Sequence, residues 1–201
     1  MKSKALSLYI IFFLLSSFSS KAAFVLLPME AEGQQNHLKA YGITYWALDK
    51  SYKVSWLLNY RGGSFLLPDA PEIRKECQIR GVTFEVLSDA ATNSILEDIS
   101  SPSQNMETVV LEKAPKIAVY TPKGKQPWDD AVTMVLTYAE IPYTENYDEE
   151  VLSDQLLLYD WLHLHHEDFT GQYGKFFGNY RSTPWYIQQK ADAEALAKKL
   201  G

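Results

Sequence analysis

The chain has 201 residues, 46% hydrophobic and 13% aromatic, with 19 Lys and Arg against 25 Asp and Glu for a formal charge of −6. That balance argues against nucleic acid or anionic lipid as a partner, because both repel a negative surface. A single cysteine, Cys77, excludes an intramolecular disulfide, and a chain of this size buries a core without such a staple.

The first residues predict an export signal. Lys2 and Lys4 form a positive start, Ala5 to Leu15 an apolar stretch, and Ser16 to Ala22 a small-residue region. Ser20-Lys21-Ala22 fits a cleavage site before Ala23. The apolar stretch is shorter than the ~20 residues that span a bilayer, so no membrane span is expected after removal. Losing residues 1–22 removes Lys2, Lys4 and Lys21 and takes the formal charge from −6 to −9. The expected location is the periplasm or the exterior.

Residues 23–201 are expected to form a single α/β domain, with a joint near Ser100 to Pro115 that divides it into 23–105 and 106–201. A strand covers Phe24 to Met29, and Leu38, Tyr41, Tyr45 and Leu48 recur at helical spacing over about 34–48. Lys53 to Asn59 is a second strand. Tyr60-Arg61-Gly62-Gly63-Ser64 is a glycine turn before the short apolar piece Phe65 to Leu67. Pro71 suits the first position of a helix that Gly81 ends at about Arg80. Val82 to Leu87 makes a third strand, and Ser88-Asp89 caps a helix through about Ile99. Ser100 to Asn105 reads as a surface loop.

In the second half, Thr108 to Leu111 and Lys116 to Thr121 are strands, and Pro122 to Gln126 is a loop. Pro127 opens a helix with Asp129 and Asp130 in its first turn, where the helix dipole favours negative charge. Glu149 to Leu158 is an amphipathic helix, Asp160 to His165 a strand, and Pro184 to Leu200 a last helix. Strands alternating with helices predict an α/β fold, a mostly parallel sheet with helices on both faces.

Open sheets of that kind bind ligands beyond the carboxyl ends of their strands. The last strand ends in His163-Leu164-His165-His166-Glu167-Asp168, an unusual density of ionisable groups. His165, His166, Glu167 and Asp168 are the candidate catalytic residues, the carboxylates as general acid or base with a histidine tuning them. Alternation puts His163 and His165 on one strand face, so the pair could ligate a divalent metal with Glu167 or Asp168 as a third ligand. The plainer reading packs His163 under a helix and leaves His165 and His166 to loop carbonyls. No other cofactor is expected.

Candidate ligand-binding residues at other strand exits are Asn36, Asn59, Arg61, Gly62, Gly63 and Lys123. Arg61 beside two glycines suits an anion, although a strand exit uses the same glycines. Lys123 precedes a helix but lacks the G-x-x-x-x-G-K-[ST] pattern of phosphate loops. Thr170-Gly171-Gln172-Tyr173-Gly174 fits either an anion-binding backbone or a simple turn. Cys77 lies within a helix, away from any strand-to-helix elbow, which argues against a nucleophile. The abundant Tyr and Trp fit a core, or a surface for a sugar or peptide.

From Lys116 to Asp168, with Ile141-Pro142-Tyr143 as a link, the chain resembles the opening of class I glutamine-amidotransferase-like domains, related in layout to flavodoxin-like sheets. Nearly all residues from about Val25 onward are similar to an exported family of Bacteroidetes-type bacteria known as asparagine synthetase B. The motifs are Asn36 to Gly42 (NHLKAYG), Asn59 to Phe65 (NYRGGSF) and Tyr159 to Lys175 (YDWLHLHHEDFTGQYGK). The name implies a glutamine-hydrolysing synthetase, and the likeness implies an N-terminal portion of a longer protein. The chain departs from both patterns. Gly62-Gly63 is its one Gly-Gly pair and no S-G-G-x-D-S loop follows, the expected mature start is Ala23 rather than cysteine, and no cysteine elbow occurs before Gly201.

Overall fold

A computed structural model describes residues 22–121, 131–164 and 172–200. The expected signal sequence up to Lys21 lies outside the described residues, as do Lys123, the start of the Pro127 helix and the whole of His165 to Gly171. The fold is mixed α/β, with seven helices and two sheets among the described residues. Backbone contacts divide it into two compact units: residues up to His37 with Tyr52–Glu112, and Leu38–Ser51 with the chain from Lys113 onward.

The first unit holds strands β1 (Ala22–Leu27), β2 (Val54–Leu58), β3 (Phe65–Pro68), β4 (Glu85–Ser88) and β5 (Glu107–Leu111). They form one sheet in the order β4-β1-β3-β2-β5, and each neighbouring pair is antiparallel. The expectation of a mostly parallel sheet is therefore corrected here. Strand and helix do alternate: helices α1 (His37–Asp49), α2 (Pro71–Arg80) and α3 (Asp89–Ile99) follow β1, β3 and β4. Each such connection joins strands that run the same way. Yet β3 sits between β1 and β2, and β1 between β3 and β4, so the parallel partners never touch.

The cause is the link between β2 and β3. Residues 59–64 are far too few for the crossover of about a dozen residues that adjacent parallel strands need. The chain reverses instead through a 3-10 turn at Tyr60–Gly62, with Asn59, Arg61, Gly62 and Gly63 all at positive φ. That reversal registers Trp56 opposite Phe65 and Ser55 opposite Leu66. A Cβ on Gly62 would meet the Met29 carbonyl at 2.5 Å, so the turn docks on the exit of β1 because this position is glycine.

Leu26, Leu57, Leu66 and Ile99 make the core on one sheet face, joined by Ile95 and Leu96 of α3. Ser88 caps α3 by accepting from the Ala91 amide. Pro71 opens α2, and Gly81, at φ 66°, closes it. Val25, Leu27, Val54, Leu67, Ile73 and Cys77 are fully buried in the same unit.

The second unit contains a three-stranded parallel sheet of β6 (Ile117–Tyr120), β7 (Thr144–Asn146) and β8 (Trp161–Leu164), in the order β7-β6-β8. Here the parallel expectation holds. Helix α4 (Ala131–Ala139) connects β6 to β7, and α5 (Asp148–Leu152) with a 3-10 turn at Gln155–Leu158 leads to β8. The single helix expected over 149–158 is split because Asp154 takes a left-handed conformation, φ 59°. Beyond β8 come α6 (Gln172–Tyr180) and α7 (Pro184–Leu200); α6 covers residues read from sequence as a glycine turn. Ile117, Val119 and Leu136 form this unit's core, with Tyr45 of α1 and Val132, Ile141 and Tyr143 packed around it. Gly42 of α1 lies so close to the Ala139 carbonyl of α4 that an added Cβ would overlap the oxygen. Asp160 ties the starts of β6 and β8 together, accepting from the Lys113 ammonium at 2.6 Å and from the Lys116 amide at 2.9 Å.

Candidate functional site at the carboxyl edge of the parallel sheet

The candidate residues fall in separate places. Asn36, Asn59, Arg61, Gly62 and Gly63 belong to the first unit. Arg61 Nε and Nη2 donate to Glu30, Nε at 2.8 and 2.9 Å, while Nη1 and Nη2 donate to Glu85 at 3.0 and 2.7 Å. The guanidinium thus grips two of the protein's own carboxylates, and an incoming anion would have to displace one. Those bonds, Glu30 first and Glu85 next, raise an already high Arg61 pKa; in return the Arg61 bond holds the Glu30 carboxyl below its ordinary range. The arrangement fastens the turn to β1 and β4. The Asn59 side chain donates to the Asn105 carbonyl at 2.7 Å, and the Asn36 amide donates to Gln34 Oε1 at 3.2 Å.

Gln34, which carries no motif or periodicity to single it out in the sequence, is the polar anchor of this exit. It is 4% exposed. Its Nε2 donates to the carbonyls of Pro28 and Thr83, and its Oε1 accepts from the amides of Thr83 and Asn36. Both ends of the amide are satisfied.

In the second unit the strand order creates a switch point. From β6 the chain crosses to β7 on one side and then to β8 on the other, which makes the boundary between β6 and β8 a topological switch point, where open α/β sheets bind ligands. Tyr120 ends β6, Asn146 ends β7 and Leu164 ends β8, and these three share one register row. Residues paired across parallel strands project to the same face, so the row lies on the face opposite Val119. The Tyr120 hydroxyl donates to Asp148 Oδ1 at 2.6 Å, and its ring lies 5.4 Å from that of Tyr147. Thr121 is fully buried, and its amide donates to the Asn146 carbonyl.

Asn146 is the residue with two unmet buried side-chain atoms among the described residues. It is 0% exposed, and among the described residues neither Nδ2 nor Oδ1 has a hydrogen-bond partner. Each unmet buried polar atom costs about 1–3 kcal/mol, so such a group marks a place where something else binds or stability is lost. Its strand, three residues long after an Ile-Pro-Tyr link, is too short for periodicity to announce it, so the sequence alone gives no signal for it.

His163 sits within β8, half-buried, with its ring edge-on to Trp161 at 6.5 Å. His165, His166, Glu167 and Asp168 follow Leu164 directly in the chain but lie outside the described residues, as does Lys123. No group of three or more His, Cys, Asp or Glu among the described residues is placed to hold a metal. Cys77 is buried, and that burial pushes its thiol up to about 12, which suppresses the thiolate a nucleophile needs. No described helix is long and apolar enough to cross a membrane. No family model matches the chain, and no curated protein or solved structure matches it.

Proposed function

We propose that this is an exported α/β protein that binds a small polar molecule at the carboxyl edge of its parallel sheet. The observation that carries the reading is the switch point between β6 and β8, with His165, His166, Glu167 and Asp168 next in the chain after β8. Parallel strands aim backbone at that edge, and at a switch point the two crossovers leave in opposite directions. The β7-β6-β8 order is also in keeping with the resemblance of this half to flavodoxin-like and class I glutamine-amidotransferase-like sheets. Glutamine hydrolysis or synthetase chemistry is not part of the proposal, since Cys77 is buried in a helix and no cysteine elbow is present in the chain.

Export rests on the charged start, apolar stretch and small-residue site before Ala23. Cleavage there leaves the β1 pairings from Phe24 onward intact on both sides. N-terminal sequencing of the protein recovered from a periplasmic or culture fraction should begin at Ala23; recovery of the intact N-terminus from the cytosol alone would end this part of the reading.

The ligand site is tested by nuclear magnetic resonance titration of the full chain with amino acids, amides, nucleosides, sugars and carboxylates. Backbone shifts should gather at Tyr120, Thr121, Asn146 and Leu164 and weaken in His165→Ala and Glu167→Ala. Shifts confined to the first unit, or none at all, reject it. A second reading, recognition of a sugar or peptide by aromatic rings, is favoured by the exposed cluster of Phe176, Tyr180 and Trp185 on α6 and α7, with rings 4.8 to 5.9 Å apart. Under it the shifts would map to those rings instead.

A further inference from the structure

We infer that Asn146 is a recognition residue and that the ligand it reads carries an amide edge, an N–H beside a C=O, as in a primary carboxamide or the ring imide of a pyrimidine. The inference rests on the ligand reading above and names the chemistry of that site. Asn146 closes β7, one strand spacing of about 4.8 Å from Tyr120 at the end of β6, on the same carboxyl edge as the switch point and on the side of β6 away from β8. It presents a donor and an acceptor at once, both buried and both unmet among the described residues. A carboxylate would satisfy the donor alone, and a cation the acceptor alone. A flat amide edge satisfies both in one plane. A vicinal diol also offers a donor and an acceptor, and glucose in the titration below tells it from an amide edge.

Gln34 shows what this chain does with a buried amide whose role is purely structural, since backbone partners surround both of its ends. Asn146 has no such partners among the described residues. Thr121, buried beside it, and the Tyr120 hydroxyl held by Asp148 keep the neighbouring groups in place.

The test follows the side-chain amide resonances of Asn146, assigned by their loss in Asn146→Leu, while the full chain is titrated separately with propionamide, uridine, glucose and sodium propionate. Propionamide or uridine should shift those resonances, and the one that binds tells an open carboxamide from a ring imide. Asn146→Leu should weaken that binding by about tenfold or more. Asn146→Asp, which keeps the shape and the acceptor but loses the donor, should do the same and serves if the leucine variant does not fold. Unchanged amide binding in the variants overturns the inference. Shifts at Tyr120 and Leu164 with glucose or propionate but neither amide also overturn it, yet leave the edge as the ligand site. No shift at the edge with any compound overturns both.

Discussion

Among the described residues each unit buries one side-chain amide next to a strand end, and the two are treated in opposite ways. Gln34, beyond β1 in the antiparallel unit, exchanges hydrogen bonds with Pro28, Thr83 and Asn36. Asn146, at the end of β7 in the parallel unit, has none among the described residues. In the antiparallel unit the stretch before β4 returns beside the exit of β1, and Gln34 meets Thr83 there as well as Pro28 and Asn36. In the parallel unit the Asn146 carbonyl is met by the Thr121 amide, while its side-chain amide meets no described group. The polar residues of the first exit, Arg61 included, are met by the protein's own groups; Asn146 at the second is buried and unmet among the described residues.

The sharpest way to break this contrast is Gln34→Leu. It strands four backbone groups and should cost about 3 kcal/mol, read from the urea unfolding midpoint. A loss near zero would mean that Gln34 is no anchor. Gly42→Ala tests whether the parallel unit is tightly packed away from its edge. Overlap with the Ala139 carbonyl should outweigh the ~1 kcal/mol that alanine gives a helix and leave a net loss of about 2 kcal/mol.

Arg61→Met releases Glu30 and Glu85 together. The expected loss is about 1–2 kcal/mol, kept small because these groups are partly exposed. The pH dependence has a definite sign. The Glu30 carboxyl sits below its ordinary value in the folded state, so its contribution is complete above the ordinary carboxylate range. It is lost as pH falls through the lowered folded value. The wild-type urea midpoint should therefore drop more than that of Arg61→Met between neutral pH and about pH 3, and equal drops would remove Arg61 from the account. Smallest is Asn146→Leu without ligand: relief of an unmet buried amide should raise stability by up to about 1 kcal/mol, against the loss at Gln34. A clear loss at Asn146 would show that it has a structural partner after all.

Much of the chain is legible one element at a time. Pro71 and Gly81 bound their helix, Ser88 caps the next, and Phe24 to Leu27, Val54 to Leu58 and Ile117 to Tyr120 read as strands from their apolar runs. Pairing is not legible in this way. Alternating strands and helices point to a parallel sheet, and that holds only for β6, β7 and β8. Of the candidate site, the ionisable residues His165 to Asp168 that stand out in the sequence lie outside the described residues, whereas Asn146 is hidden in a strand of three residues.

By itself the sequence determined the local elements, the reversal at Gly62-Gly63 and the acidic, disulfide-free character of the protein, because all of these depend on backbone preference, side-chain period or composition. Only the tertiary structure decided which strands are neighbours, that Arg61 is occupied by Glu30 and Glu85, and that one buried amide is satisfied while the other is not. Those outcomes depend on groups far apart in the chain, Arg61 with Glu30 and Gln34 with Thr83. Whether a buried polar group is met can be judged only once every neighbour is in place.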